Sequence, residues 1–183
     1  MALKPTIFKF TVAISDLNQH VYETVPLTVA QHPSETVERM MARLMAYCLH
    51  VGDDPEQRMT FTTGLSTPDE PDIWLRGLND VLELSIDMGE PSAERAKKAS
   101  RLAQQAYIYT FNSKSDVWWR QSEAELSQLP IQVIQFDWSQ IQALSAHVTR
   151  TMSISLTISE QSIYVAFPDS QCEVHWNVLQ SVN

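Results

Sequence analysis

Three carboxylates are crowded into one short stretch near the middle of the chain. Residues 66–74 read STPDEPDIW, so that Asp69, Glu70 and Asp72 lie within four positions, interrupted by Pro71. Like charges this close repel one another unless water screens them or a cation holds them. Hard divalent cations take oxygen ligands, and Mg²⁺ needs only one or two carboxylates besides phosphate and water. The stretch is therefore a candidate metal site, and a solvated turn before a strand is the alternative.

Two further acids are expected near this stretch. Asp87 comes late in the segment VLELSIDMG, whose apolar and polar residues alternate with a period of two. This alternation predicts a strand with Asp87 on its polar face. Asp69 and Glu70, in the loop before the preceding strand, are expected to fold back toward Asp87, whereas Asp72 is expected near the opposite end of the paired strands. Glu35 stands at the start of an apolar helical pattern.

Basic residues follow Asp87 at a short distance. Arg95, Lys97, Lys98 and Arg101 fall within seven residues. A divalent ion could polarise a phosphodiester and generate hydroxide, and a lysine beside it would stabilise the developing charge. The alternative is a solvated helix face that balances nearby acids. The net charge of −9 opposes bulk attraction to a polyanion, so a nucleic-acid partner would depend on local contacts.

Other common catalytic patterns are missing from the sequence. It contains no glycine-rich phosphate loop and no HxxxH, CxxC or GxSxG motif. These absences disfavour the common nucleotide-binding α/β folds, zinc sites and serine hydrolases.

Tyr107 and Tyr109 alternate with Ile108 on a predicted strand, and their hydroxyls are expected to face the same cleft as Asp87.

The segments that must position these residues alternate between strand and helix patterns. A hairpin of β-branched and aromatic residues is predicted first, then an amphipathic helix over 32–50 with Ser34 or Thr36 as its cap. Strands are predicted over 7–14, 21–29, 59–62, 72–77, 81–89, 106–112, 131–137, 153–159, 162–167 and 172–179. The other helices are predicted over 92–105, 115–129 and 139–150. The pattern indicates an α/β fold, α+β-like in its mixed central sheet, with strand hairpins at both ends of the chain.

Length and composition suit a single domain spanning 1–183. The two cysteines, Cys48 and Cys172, are far apart and imply no framework of disulfides, which favours a reducing compartment. The N-terminus lacks the apolar core of a signal peptide, and no stretch approaches a membrane span. We therefore expect a cytoplasmic protein without a membrane partner.

Several segments resemble the YaeQ family of bacterial proteins over nearly the whole chain. The order and spacing of HPSET and DEP are the most specific signals. The matching segments are MALKPTIFK, LTVAQHPSETVERMMARLMA, GLSTPDEPDIWLR, SIDMGEP, ERAKKAS, YTFNS before WW, and RTMSISLTI. On these motifs the chain is identified as a member of that family.

The resemblance implies a variant of the PD-(D/E)XK restriction-endonuclease-like core. In that superfamily a helix carries a glutamate, a strand start carries an aspartate, and the next strand carries (D/E)-x-K. Glu35 would be the helix acid, with Glu38 as second choice, and Pro71-Asp72 is a literal PD pair. The implied Mg²⁺ or Mn²⁺ ligands are Asp69, Glu70, Asp87 and Glu35, with Asp72 as an alternative acid. The implied catalytic set adds Lys97 and Lys98.

The sequence departs from that pattern at two places. Gly89 stands two residues after Asp87, where the superfamily has lysine, so Lys97 or Lys98 would have to reach back from the next helix. The segment with Ser85 and Asp87 also differs from YaeQ relatives, which typically have the sequence WIE at these positions. The first expectation is therefore a metal-dependent, nuclease-like phosphodiesterase. The alternatives are a catalytically degenerate module that binds nucleic acid or a protein partner, and an enzyme that uses the same cleft for another substrate.

Overall fold

The computed structural model describes residues 3–182 and agrees with most of the predicted order of elements. Two single-turn helices, Val51–Asp53 and Gly64–Ser66, also occur. The strands are β1 Thr6–Asp16, β2 Val21–Gln31, β3 Thr60–Phe61, β4 Ile73–Arg76, β5 Leu82–Met88, β6 Ala103–Thr110, β7 Gln132–Phe136, β8 Thr151–Ser159, β9 Ser162–Ala166 and β10 Gln171–Gln180. The helices are α1 Val37–Leu49, α2 Ala93–Leu102, α3 Ser115–Leu126 and α4 Trp138–Ser145.

All ten strands of the described part form one mixed, nearly closed sheet. Their order is β2-β1-β8-β9-β10-β7-β6-β5-β4-β3. The pairs β1–β8, β5–β6 and β6–β7 are parallel, and the others are antiparallel. The mixed α/β class is thus confirmed. The terminal hairpins β1–β2 and β8–β9 lie side by side in one half of the sheet, and β10 joins that half to the strands that carry the candidate site.

The two halves of the chain are also tied together by side chains. The tight connection after β1 contains Asn18, and the turn after β8 contains Glu160. The side-chain amide of Asn18 donates to the carbonyl of Glu160 at 2.9 Å, and the Glu160 amide donates back to Asn18 Oδ1 at 2.9 Å. These reciprocal bonds fix the register of the parallel β1–β8 pair, whose partners are distant in sequence.

Helix α1 is the centre of the main core. The sequence predicted an amphipathic helix here, but every residue from Met40 to Cys48 is buried, Arg43 included. The sheet curls around this helix, and α4 packs against it. Thr36 caps the helix, because its hydroxyl accepts from the amide of Arg39 at 3.1 Å. This settles the choice between Ser34 and Thr36.

Tyr47, in the last turns of α1, makes the stability of the fold depend on pH in the alkaline range. Its hydroxyl donates to the carbonyl of Met59 at 3.0 Å, and burial raises the pKa of Tyr47 to about 12, with smaller contributions from Cys48 and Asp54. The folded chain therefore holds this proton more tightly than the unfolded chain, whose tyrosines have a pKa near 10. The resulting stability is complete below about pH 10 and is lost as the pH rises toward 12.

Tyr47→Phe is accordingly expected to cost about 1 kcal/mol at neutral pH through the lost hydrogen bond. The same variant should lose less stability than the native chain above about pH 10, because phenylalanine has no proton to release. Urea unfolding of both proteins across the alkaline range measures this. Parallel pH profiles for the two proteins would contradict the assignment.

A second, smaller core covers the outer face of β6 and β7. Helices α2 and α3 pack against this face of the sheet. The buried residues of this core are Ala96, Ala106, Ile108, Leu126, Ile131 and Val133. Helix α2 ends at Leu102, three residues before the predicted end, because Ala103 already pairs with Leu82 as the first residue of β6. Helix α4 ends at Ser145 rather than at 150.

The expectation for Tyr107 and Tyr109 was wrong. Asp87 lies beside Ile108 in the parallel β5–β6 pair, and Tyr109 lies beside Met88, so the tyrosines occupy the opposite face from Asp87. The Tyr109 hydroxyl lies 2.7 Å from His50 Nε2.

No helix of the described residues is both long and apolar enough to cross a membrane.

Candidate functional site

The β4–β5 hairpin brings two aspartates directly opposite each other. Ile73 pairs with Ile86, and the amide of Asp72 donates to the carbonyl of Ile86 at 2.9 Å, so Asp72 lies beside Asp87. Both residues are buried, with 4% and 3% of their surface exposed. The expectation that they lie at opposite ends of the strands was wrong, because the start of one antiparallel strand faces the end of the next. We call Asp72 and Asp87 the paired aspartates.

Asp72 is the acid of the STPDEPDIW stretch that turns inward. Its Oδ1 accepts from Arg39 Nη2 at 2.7 Å, and its Oδ2 accepts from the amide of Met88 at 2.8 Å. The Asp69 side chain is 88% exposed and meets only the Lys98 ammonium, at 3.1 Å. Glu70 Oε2 accepts from the Thr63 hydroxyl at 3.1 Å, within the loop itself. The expectation that Asp69 and Glu70 turn toward Asp87 was therefore wrong.

Asp87 is held by Arg95 from helix α2. The Nε and Nη2 atoms of Arg95 donate to Asp87 Oδ1 at 3.1 and 2.9 Å. The same guanidinium donates to the carbonyls of Pro68 and Glu70, the latter at 2.6 Å. Arg95 thus ties the acidic loop to the end of β5.

One oxygen of Asp87 is left open. Both bonds from Arg95 go to Oδ1, and no described residue donates a hydrogen bond to Oδ2. Burial raises the pKa of Asp87, the Arg95 guanidinium lowers it, and the charge of Asp72 raises it again, with a net upward shift. A buried carboxylate with an upward-shifted pKa in a cleft is typical of functional sites.

Glu35 is buried among arginines. Arg43 donates to its two oxygens at 3.1 and 2.8 Å, and Arg39 Nη1 donates to Oε1 at 2.9 Å. Arg39 therefore bridges Glu35 to Asp72. Glu35 acts on the paired aspartates by positioning Arg39, and it has no open oxygen of the kind that Asp87 has.

The basic residue that reaches back from α2 is an arginine. Lys98 contacts Asp69, Lys97 is exposed, and Arg95 contacts Asp87. Sequence reasoning missed Arg95, although a signal was present. Ser92 caps α2 by accepting from the Arg95 amide at 3.2 Å, and a helix from that cap puts 95, 98, 99 and 102 on one face and 97 on another.

Asp87 lies between two openings at the surface. One is a cavity of about 360 Å³ between α2 and the loop, and the other is a cavity of about 410 Å³ on the side of Arg39 and Asn112. Pro68, Asp87 and Arg95 line both cavities, so the contact of Arg95 with Pro68 separates them. Around the second cavity, four acids (Glu70, Asp72, Asp87 and Glu90) face two arginines, which leaves two excess negative charges.

A divalent ion fits part of this arrangement. Among residues 3–182, no three His, Cys, Asp or Glu side chains are grouped as a metal cage. Mg²⁺ does not require such a cage, since it accepts one or two carboxylates with phosphate and water. The open oxygen of Asp87, the adjacent Asp72 and the excess negative charge meet that smaller requirement. Glu35, saturated by arginines, and Asp69, exposed at the rim, do not contribute to it.

Comparisons with known proteins agree with the resemblance found in the sequence. Residues 1–176 match the family model described as YaeQ protein. "Uncharacterized protein YaeQ" of Escherichia coli (strain K12) is 37% identical over 182 residues, covering 98% of each chain, and the Salmonella typhi protein is 36% identical with the same coverage.

Two solved structures have the same fold. A crystal structure of YaeQ protein from Xanthomonas axonopodis pv. citri matches with a TM-score of 0.91 at 30% identity, over 97% of this chain and 99% of that one. One from Pseudomonas syringae matches with a TM-score of 0.89 at 30% identity, over 97% of both chains. Sequence and fold agree over almost the whole length, and the chain belongs to the YaeQ family.

Proposed function

We propose that the chain is a phosphodiesterase of nuclease type that uses Mg²⁺ or Mn²⁺, with the paired aspartates as the ligands of the ion. The observation that carries this proposal is the side-by-side burial of Asp72 and Asp87 in a cleft with excess negative charge. Two carboxylates this close gain from a shared cation. The open Oδ2 of Asp87 offers the first ligand.

The arrangement of elements supports a PD-(D/E)XK type of core. Helix α1 has Glu35 just before its start, the β4–β5 hairpin carries the paired aspartates, and α2 crosses to the parallel strand β6. Pro71-Asp72 then corresponds to the PD pair and Asp87 to the following acid. Arg95 supplies the basic group that a lysine supplies elsewhere in that superfamily.

The chain's own residues have separate tasks in this proposal. A bound Mg²⁺ or Mn²⁺ would polarise the phosphodiester and lower the pKa of a coordinated water. Asp72 presents a carboxylate fixed by the Met88 amide and by Arg39. Arg39, on the wall of the larger cavity, has guanidinium hydrogens left for a phosphate oxygen. Glu35 holds Arg39 in place, and Lys98 at the rim attracts the anionic substrate.

Mn²⁺ titration calorimetry tests the proposal. The native chain should bind the ion, and Asp87→Asn should lose most of that affinity while keeping the fold, as checked by circular dichroism. Asp80→Asn is the matched control, since Asp80 is an exposed acid in the turn of the same hairpin. The native chain and Asp80→Asn should then cleave single- or double-stranded DNA or RNA with Mg²⁺, and Asp87→Asn should not. A native chain that binds no Mn²⁺ contradicts the proposal.

A second candidate is a degenerate module that binds nucleic acid or a protein partner without cleaving it. It is favoured by one observation, that each of the paired aspartates already contacts an arginine while Gly89 replaces the lysine. Absence of Mn²⁺ affinity, together with nucleic-acid binding that weakens steeply with salt, would support this module. Cleavage that depends on both the metal and Asp87 would exclude it.

A further inference from the structure

The smaller cavity beside Asp87 is a groove with two chemically different ends. We call it the α2 groove. Its inner end holds Asp87, Arg95 and Lys98, and its outer end holds Leu82 and Leu102. Its apolar lining residues are Pro68, Pro71, Leu82, Ala99 and Leu102. Asp87 and Lys98, at the inner end, have roles in the proposed function, and the outer end has none.

The outer end exposes apolar side chains at the mouth of a cavity. Leu102, the last residue of α2, is 60% exposed, and Leu82 beside it is half-buried. Leu102 and Lys98 lie one turn apart on the face of α2 that carries Arg95. An apolar wall therefore continues directly from the charged end, on the same helix face.

We infer that the α2 groove binds one unpaired nucleotide of a single-stranded substrate, with its base at the outer end and its phosphate toward Asp87. This inference rests on the proposed phosphodiesterase function. The cavity of about 360 Å³ falls in the range of roughly 300–1,000 Å³ that small-molecule sites occupy. A nucleotide has the same polarity as the groove, a flat neutral ring at one end and an anion at the other.

The outer end suits a base because its walls carry no charge. Leucine and alanine side chains can contact the faces of a base without selecting its hydrogen-bonding edge. No aromatic side chain lines the groove within the part of the chain that the structure describes, so affinity for a base should be modest. The groove would then accept different bases with little discrimination.

The inner end makes phosphate binding depend on a cation. Arg95, Lys98 and the first turn of α2 attract an anion, but Asp69, Asp87 and Glu94 line the same end. The acids outnumber the bases there, so a phosphate gains little until a divalent ion neutralises Asp87. A neutral nucleoside does not meet this repulsion.

The groove is not expected to accept a paired base. The loop before β4 lies over Asp87 and is held down by the bonds of Arg95 to Pro68 and Glu70. A base inside a duplex is stacked and paired, and it can enter such a pocket only after it leaves the stack. The substrate class is therefore a single strand or a strand end.

The test separates the base site from the metal site. Methyl NMR spectra of the native chain are recorded during titration with uridine and adenosine, without metal, and with the 5′-monophosphates, with and without Mg²⁺. The nucleosides should shift the methyl signals of Leu82 and Leu102 without metal, and Mg²⁺ should strengthen monophosphate binding at least several-fold. If the nucleosides leave the methyl signals of both leucines unchanged, the inference is overturned.

Leu102→Glu provides the second readout. It should weaken nucleoside binding at least fivefold, whereas Leu78→Glu, at the 93% exposed leucine of the β4–β5 turn, should change nothing. Equal nucleoside affinity in Leu102→Glu and the native chain would also overturn the inference. If the nucleosides bind as expected but Mg²⁺ adds nothing to monophosphate binding, the base site stands and the phosphodiesterase proposal fails.

Discussion

Glu35→Ala is expected to destabilise the fold by roughly 3–5 kcal/mol, since it breaks a buried ion pair from one side. The Glu35 and Arg43 side chains are 2% and 3% exposed, so the substitution leaves the Arg43 guanidinium buried with only the Ala30 carbonyl as a hydrogen-bond partner. Arg39 also loses the carboxylate that holds it against Asp72. Urea unfolding at neutral pH measures the loss.

Glu38→Ala is the matched control for this prediction. Glu38 lies in the first turn of the same helix, where its interaction with the helix dipole is worth about 0.3–1 kcal/mol. In addition, Glu35→Leu combined with Arg43→Met should recover much of the lost stability, because no unpaired charge is then buried. If Glu35→Ala lowers the free energy of unfolding no more than Glu38→Ala does, the buried ion pair does not stabilise the fold. The assignment of Glu35 as a positioning residue then fails.

Arg95→Gln is expected to raise the affinity of the chain for Mn²⁺ by about tenfold, or about 1.4 kcal/mol. Arg95 donates two hydrogen bonds to Asp87 Oδ1, and a divalent ion must compete with that positive charge for the same carboxylate. Removing the guanidinium therefore removes a competitor and leaves Asp87 uncompensated. Titration calorimetry at constant ionic strength measures the change.

Arg101→Gln controls for the loss of one positive charge from the same helix, because Arg101 is exposed. It should change Mn²⁺ affinity little. The Asp87→Asn/Arg95→Gln double variant should bind as weakly as Asp87→Asn alone. Weaker Mn²⁺ binding in Arg95→Gln than in the native chain would mean that Arg95 holds Asp87 for the metal and does not compete with it.

The regular elements could be predicted because their patterns are strong and local. The alternation in residues 81–89 identified β5, and the buried face of α1 was visible in its run of methionine, leucine and alanine. Each pattern reports which side of one element is apolar. Neither pattern reports how two elements are placed against each other.

The candidate site depended on such placement, and its details were therefore predicted less well. Pro71 fixes one backbone angle of the acidic loop, but it does not decide which neighbouring side chain turns inward. That choice follows from the pairing of Ile73 with Ile86, which aligns Asp72 with Asp87 and leaves Asp69 at the rim. The phase of α2 similarly decides between Arg95 and Lys97, and the position of the Ser92 cap in the sequence is enough to derive that phase.

The parallel pairing of β1 with β8 has a consequence for synthesis of the chain. Asn18 and Glu160, which exchange two hydrogen bonds, are separated by 142 positions. A ribosome therefore releases the central helix α1 long before the strands that complete its enclosure exist. Contacts between such distant segments slow folding, and the apolar surface of α1 stays uncovered in the meantime. The nascent chain is thus expected to need protection by chaperones until its last strands have emerged.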